Sequence, residues 1–242
     1  VRTIQRIEAG EVMPRLYTVR ILLEALGENY ESFSATSGQG VHKQKNILSS
    51  SNGNILLVAA LSGAIYLVCQ IVLGAMDIER VLIDHSWRSS VNAVYISLTA
   101  VMVISFALFA RGFIVLSNVF ENTLLKIAAY VLAVATALVG IFDISALTVD
   151  DVETLWIPYA STSLLLGALS ILFGISLIRL QDGMGELARV AGILEIVMGC
   201  MLITVVLFFA AYIILVPAVV VEIVVLYRGY EYLSRSEPVH VS

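Results

Sequence analysis

One long apolar run decides the fold: residues 190–227 read VAGILEIVMGCMLITVVLFFAAYIILVPAVVVEIVVLY. A single α-helix of this length would measure about 57 Å at 1.5 Å per residue. That is nearly twice the hydrocarbon core of a bilayer, which is about 30 Å thick. The run is therefore too long for one membrane crossing and barely long enough for two. We interpret it as a tight helical hairpin that turns near Phe208–Tyr212.

The charges in and beside this run are symmetric about the proposed turn. Arg189 mirrors Arg228, and Glu195 mirrors Glu222. A fold at residues 208–209 places the members of each pair at matching depth. It also allows the two glutamates to come within one helix–helix contact distance, about 8–10 Å between axes. The alternative is one tilted helix, which separates the glutamates by roughly 40 Å and gives the chain five spans.

The rest of the chain supplies four more candidate spans. A transmembrane helix needs about 20 apolar residues, and the second of these runs reaches that length if Arg111 snorkels. Hydrophobic residues make up 59% of the chain and charged residues 14%, against roughly 25% charged residues in soluble domains. The sequence therefore predicts an all-α, polytopic membrane helical bundle with six spans, or five in the alternative. The four runs are Asn54–Met76, Ala93–Phe109, Leu124–Phe142 and Ile157–Ile178.

The basic residues predict which way the bundle faces, because Lys and Arg are enriched in cytoplasmic loops. Six spans place both termini in the cytoplasm of a multi-pass protein of the inner (cytoplasmic) membrane. Trp87 and Trp156 then mark the outer surface, and Asp77 and Asp143 fall in acidic outer loops. The cytoplasmic side holds Lys43, Lys45, Arg111, Lys126, Arg179, Arg189, Arg228 and Arg235, and the outer side holds Arg80 and Arg88.

The N-terminal residues 1–27 read VRTIQRIEAGEVMPRLYTVRILLEALG and have a different character. Ile4 and Ile7 share one face of a predicted helix whose other faces are polar. Gly10 is suited to end that helix. Pro14 suits the first turn of the next helix, which continues with an apolar stripe and ends at Gly27. These features predict two short amphipathic helices joined by a turn.

This pattern resembles the C-terminal half of the XRE-like, Cro/phage-repressor-type helix-turn-helix. The resemblance implies that residues 1–28 are a partial DNA-binding domain, with two preceding helices upstream of Val1. In that family the N-terminal residues of the recognition helix enter the major groove, where Arg pairs with guanine and Gln with adenine. The resemblance assigns DNA contacts to Arg2, Thr3, Gln5 and Arg6. The matching positions are Ile4, Ile7, Glu8, Gly10, Pro14, Leu16, Ile21, Ala25, Leu26 and Gly27.

The composition divides the remainder of the chain. Residues 29–53 are rich in Ser and Gly, which indicates a flexible tether. Residues 54–233 form the predicted six-span domain, and residues 234–242 a short cytoplasmic tail. No stretch has the charged start, short apolar centre and small-residue cleavage site of a signal peptide, and none is expected.

Three ionisable residues lie within or at the edge of apolar runs: Glu195, Glu222 and Arg111. Such residues are costly in lipid and are functional candidates by default. Two glutamates at one depth can share a proton or bind a cation. The alternative, which we prefer at this stage, is a salt bridge from the glutamates to Arg179, Arg189 or Arg111.

The chain also contains an internal echo. Residues 167–178 match residues 192–203 at both glycines and at four aliphatic positions. A duplicated span pair, as found in transporters, would produce such an echo. Glycines seven residues apart also place a flat stripe on one helix face for close packing, and we prefer this second interpretation.

We expect a membrane-tethered transcriptional regulator of bacterial type, with DNA, the lipid bilayer and a second copy of the chain as partners. The alternative is a small membrane transporter or membrane-sensing protein with a vestigial helix-turn-helix. The sequence has no phosphate-binding glycine loop, no His and Cys residues at metal-ligand spacing and no nucleophile beside a base. We therefore expect no enzyme activity, no cofactor and no metal site.

Overall fold

The computed structural model describes residues 42–83, 89–149, 152–204 and 207–234, and within them every regular element is a helix. The predicted all-α fold is confirmed. The chain divides into two compact units, residues 1–48 and 49–242, and the packing described below is that of the second. The elements are α1 (His42–Ile83), α2 (Ser89–Val119), α3 (Thr123–Ala146), a 3-10 helix (Val152–Leu155), α4 (Trp156–Ile178), α5 (Gln181–Met184), α6 (Glu186–Ile203) and α7 (Phe208–Ser234).

The bundle presents an apolar outer surface. Leu61, Ile141 and Ile213 point outward with 62%, 65% and 73% of their surface exposed, and an apolar face of this extent suits lipid rather than water. The predicted polytopic membrane helical bundle is confirmed. Five helices of the described chain are long and apolar enough to cross a membrane: Gly53–Arg80, Ser90–Val119, Thr123–Ala146, Trp156–Ile178 and Ala210–Ser234.

The run 190–227 is interrupted, as predicted, but at a different place. α6 ends at Ile203 and α7 begins at Phe208, so the predicted turn at Phe208–Tyr212 is wrong by several residues. Thr204 is the first residue after α6, and its hydroxyl donates to the Met201 carbonyl at 2.7 Å. Residues 204–207 contain no Gly or Pro, so the sequence carries no turn signal at this break.

α6 is long as well, and it differs from the five apolar helices. Its 18 residues span about 27 Å and include Glu186, Arg189 and Glu195. It runs antiparallel to α4 through the depth of the bundle. Near one end of α6 the Leu202 carbonyl accepts a 2.7 Å hydrogen bond from Ser163.

The last helix returns to the first and closes the bundle. The Tyr212 ring covers Gly74 so closely that a Cβ there would lie 2.6 Å from it, and Tyr230 lies beside Gly53. α7 therefore runs antiparallel to α1. On the same face of α1, three turns away, Gly63 meets both the ring of Phe109 from α2 and Ile223 from α7. All six long helices line one common interior.

The predicted tether extends to residue 53, but α1 begins at His42. Residues 42–53 are thus helical, and a single glycine at position 53 does not interrupt a helix that continues into a long apolar run. The cost of a glycine within a helix is only about 1 kcal/mol relative to alanine. Residues 1–41, and with them the predicted DNA-binding segment, lie outside the described residues.

Candidate functional site: a cavity with buried carboxyl groups within the helical bundle

The pair α4 and α6 forms one wall of the interior, and the two backbones touch at four glycines. A Cβ on Gly174 would lie 2.6 Å from the Gly192 carbonyl oxygen, and one on Gly192 would lie 2.5 Å from the Gly174 oxygen. Gly167 and Gly199 face each other in the same way, at 2.7 and 2.6 Å. The interpretation of the echo as a close-packing stripe is confirmed.

This contact has local two-fold symmetry, which relates residues 25 positions apart. Ile203 packs on Gly167 as Ile178 packs on Gly192. Ser170 and Glu195 are also 25 residues apart, so they occupy equivalent positions and meet at the axis. There the Ser170 hydroxyl donates a hydrogen bond to Glu195 Oε2. The symmetric contact thus holds a carboxyl group close to the axis that relates the two helices.

Glu195 meets a second carboxyl group from α7. The Glu195 side chain lies within hydrogen-bonding reach of the Glu222 side chain. Both residues sit near the middle of their helices, and they are only 4% and 2% exposed. The hairpin therefore places the two glutamates at one depth and in contact, as the symmetric charges predicted. A hydrogen bond between two carboxyl groups requires a proton on one of them.

The two glutamates line an internal cavity of about 190 Å³. This exceeds the roughly 150 Å³ of an apolar cavity that holds benzene. The polar atoms around it are incompletely partnered: Glu222 Oε1 and Gln70 Oε1 are buried and have no hydrogen-bond partner. Gln70 also interacts with the hydroxyl of Tyr212, which lines the same cavity. The cavity therefore contains two buried acceptor oxygens with unused capacity.

One wall of the cavity is aromatic. Tyr66 lies 4.9 Å from Phe106 between ring centroids, Phe109 lies 5.3 Å from Phe113, and Phe113 lies 5.1 Å from Phe173. The last two pairs are edge-on, a favoured arrangement of aromatic rings. These rings come from α1, α2 and α4, so the wall continues across three helices.

A second acidic group lines the cavity away from the glutamates, where α1 and α3 end. Asp77 accepts a 2.9 Å hydrogen bond from Tyr95, and Asp143 is close enough to Asp77 and Arg80 for their charges to interact. Arg80 also donates to the Ala146 carbonyl at 2.8 Å. Asp77 is eleven residues from Tyr66 on α1, so the lining extends over roughly 16 Å along the helix.

The prediction that the two glutamates form a salt bridge to Arg179, Arg189 or Arg111 is wrong. Arg189 instead approaches Glu186, at 3.7 Å, with about half of its side chain exposed. Arg111 and Arg179 are exposed. Next to Arg111 in the chain, Gly112 packs against Ala59, which turns the arginine away from the bundle. These three arginines are therefore on outward faces of their helices, and Glu195 and Glu222 are on inward faces. The candidate DNA contacts Arg2, Thr3, Gln5 and Arg6 lie outside the described residues.

The sequence prediction missed several polar residues of the cavity. Asp77 and Asp143 were expected in outer loops, but they belong to α1 and α3. The signal that could have found Asp77 is spacing. Tyr66, Gln70 and Asp77, with Leu73 between them, recur at intervals of four, three and four residues, which places them on one helix face.

The chain matches no protein-family model, no curated protein and no solved structure.

Proposed function

We propose that this chain is a membrane-tethered transcriptional regulator in which the helical bundle binds a small ligand and the N-terminal segment reads DNA. The cavity is the observation that supports the sensing part, because the buried Glu222 carries an oxygen without a hydrogen-bond partner. The DNA-reading part rests on the resemblance of residues 1–27 to half of a helix-turn-helix. A homodimer would place two such readers on two half-sites.

The proposal includes a membrane orientation. A DNA reader must face the cytoplasm, so the N-terminus is cytoplasmic and the protein is a multi-pass protein of the inner membrane. The eight-to-two distribution of basic residues supports the same orientation. Six crossings, with α6 as the fifth, then return the C-terminus to the cytoplasm.

α1 is the element that connects the two activities in the chain. It follows the N-terminal segment directly in sequence and contributes Tyr66, Gln70 and Asp77 to the cavity. A ligand that prefers one arrangement of α1 shifts the protein toward that arrangement by its difference in affinity for the two states. α1 is therefore the shortest covalent path from the cavity to the DNA-reading residues.

The test is chromatin immunoprecipitation of the intact gene product, including any upstream-encoded helices, from its native cells. We expect enrichment at discrete sites, and we expect a variant with Arg2, Gln5 and Arg6 changed to Ala to lose it. Each lost base contact costs about 1–3 kcal/mol, so occupancy should fall at least tenfold. Arg20→Ala is the matched control, because it removes a positive charge from the following helix. Equal enrichment of the parent and the triple variant would refute DNA reading by these residues.

A small transporter is the second candidate, and the two acidic groups at different depths of one cavity favour it. A transported cation could move from Asp77 and Asp143 to Glu195 and Glu222. Uptake of a radiolabelled cation by proteoliposomes, abolished by Glu222→Gln, would support transport. Chromatin enrichment without such uptake would support the regulator.

A further inference from the structure

We propose that the cavity binds a small organic cation, such as a protonated amine, with its nitrogen at Glu195 and Glu222 and its apolar body against the aromatic wall. This inference rests on the proposed function in one respect, that the cavity is the ligand site. It adds the chemical class of the ligand.

The unpartnered acceptor oxygens of the cavity favour a ligand that donates hydrogen bonds. Glu222 Oε1 and Gln70 Oε1 are acceptors without a partner. Leaving a buried acceptor unsatisfied costs free energy that a bound donor recovers. A ligand N–H group placed at the glutamates satisfies Glu222 Oε1, whereas a ligand with only acceptor groups satisfies neither atom.

The acidic residues that line the cavity favour a positively charged ligand. Among the described residues its lining includes four carboxyl groups, from Asp77, Asp143, Glu195 and Glu222, and no Lys, Arg or His. Arg80 lies near the two aspartates. The two glutamates have Ser170 and each other as neighbours, so the glutamate end of the cavity is where a bound positive charge is best stabilised.

The walls favour an organic cation over a metal ion. Phe106, Phe109, Phe113 and Phe173 line the cavity, and aromatic faces attract organic cations, the more so where water is excluded. Within the described chain, no group of three or more His, Cys, Asp or Glu residues is placed to hold a metal ion. The cavity volume of about 190 Å³ accommodates roughly six to ten non-hydrogen atoms, judged from benzene in about 150 Å³.

The experiment compares two probes of the same shape and size, benzylammonium and benzyl alcohol, on the purified full chain in lipid nanodiscs. Binding is measured by calorimetric titration and by the rise in melting temperature that a ligand specific to the folded state produces. We expect benzylammonium to bind at least tenfold more tightly than benzyl alcohol. Glu222→Gln should weaken benzylammonium binding at least tenfold and leave benzyl alcohol unchanged.

Two further variants control for folding. Glu231→Gln makes the same change on the same helix away from the cavity, and it should bind both probes like the parent. Phe173→Leu removes one ring of the aromatic wall. It should weaken benzylammonium binding several-fold although both glutamates are still present. Equal affinity for the two probes would overturn the proposal in favour of an apolar cavity. If neither probe binds, the proposal is overturned: the cavity then holds nothing larger than water, and the two glutamates share a proton.

The outcome is separable from that of the proposed function. Benzylammonium binding without any DNA enrichment would refute the regulator and leave the cation site standing. DNA enrichment without benzylammonium binding would refute the cation site and leave the DNA-reading half of the regulator standing.

Discussion

Gly192→Ala is expected to destabilise the bundle because its methyl group has no space on α4. The added Cβ would lie 2.5 Å from the Gly174 carbonyl oxygen and 2.7 Å from Ile178 Cγ1. Ordinary contact begins near 3.4 Å, so the two helices must separate locally by about 0.9 Å. The closest atom belongs to the backbone and cannot rotate away.

The expected magnitude follows from two opposing effects. Overpacking a well-filled interior costs typically about 1–3 kcal/mol. Replacing a glycine within a helix by alanine returns up to about 1 kcal/mol. With the full helix gain subtracted, the net loss is at most about 2 kcal/mol, which corresponds to a melting temperature lower by up to roughly 8 °C for a chain of this size. Gly174→Ala should behave alike, and the double variant should lose less than the sum because both changes open the same contact.

The assay is thermal unfolding of the detergent-solubilised protein, followed by tryptophan fluorescence. Gly53→Ala is the matched control, since its nearest neighbour would be a Tyr230 ring atom at 3.7 Å, an ordinary contact. That variant should be as stable as the parent or slightly more stable. If Gly192→Ala has the same melting temperature as the Gly53→Ala control, the backbone contact does not limit stability and the reasoning is refuted.

Three other predictions concern the ends of the bundle. Asn122 caps α3, and its Nδ2 donates to the Ser176 carbonyl at 2.9 Å. Asn122→Ala should therefore lower the free energy of unfolding by about 1–2 kcal/mol, and Asn122→Asp, which retains the cap, by about half as much. Equal melting temperatures of the two variants and the parent would contradict this. Arg80→Gln should cost about 1–2 kcal/mol in the same assay by removing a charged donor from the Ala146 carbonyl, and an unchanged melting temperature would count against it. A cysteine at Ser236 should stay unlabelled by an impermeant thiol reagent in whole cells, and strong labelling would mean an external C-terminus.

The fold could be predicted from the sequence because lipid imposes one simple requirement. Helices satisfy their own backbone hydrogen bonds, so long apolar runs become spans wherever they occur. The length of the run 190–227 was enough to predict its hairpin. The position of the turn was missed because residues 204–207 are apolar apart from Thr204 and contain no Gly or Pro, so neither hydropathy nor turn residues mark it.

The site could be predicted only in part. Glu195 and Glu222 were found because carboxyl groups are rare within apolar runs, and their mirror positions placed them together. Asp77 and Asp143 were missed because each follows an apolar run, where a loop residue is the ordinary interpretation. Whether a carboxyl group finds an arginine or another acid depends on which face of each helix turns inward. That is decided by packing between helices, which hydropathy does not describe.

The polarity of α6 has a consequence for how the protein is made. An ionised side chain at the centre of a span raises the cost of insertion by about 3 kcal/mol, and Glu195 occupies the centre of this helix. During synthesis α4 leaves the ribosome before α6, so the glycine stripe and Ser170 are synthesised before Glu195. In the six-span arrangement that we propose, α6 therefore meets a helix that accepts its carboxyl group rather than lipid alone. The order of the helices in the gene makes this partner available first, and we expect that moving α6 ahead of α4 removes it.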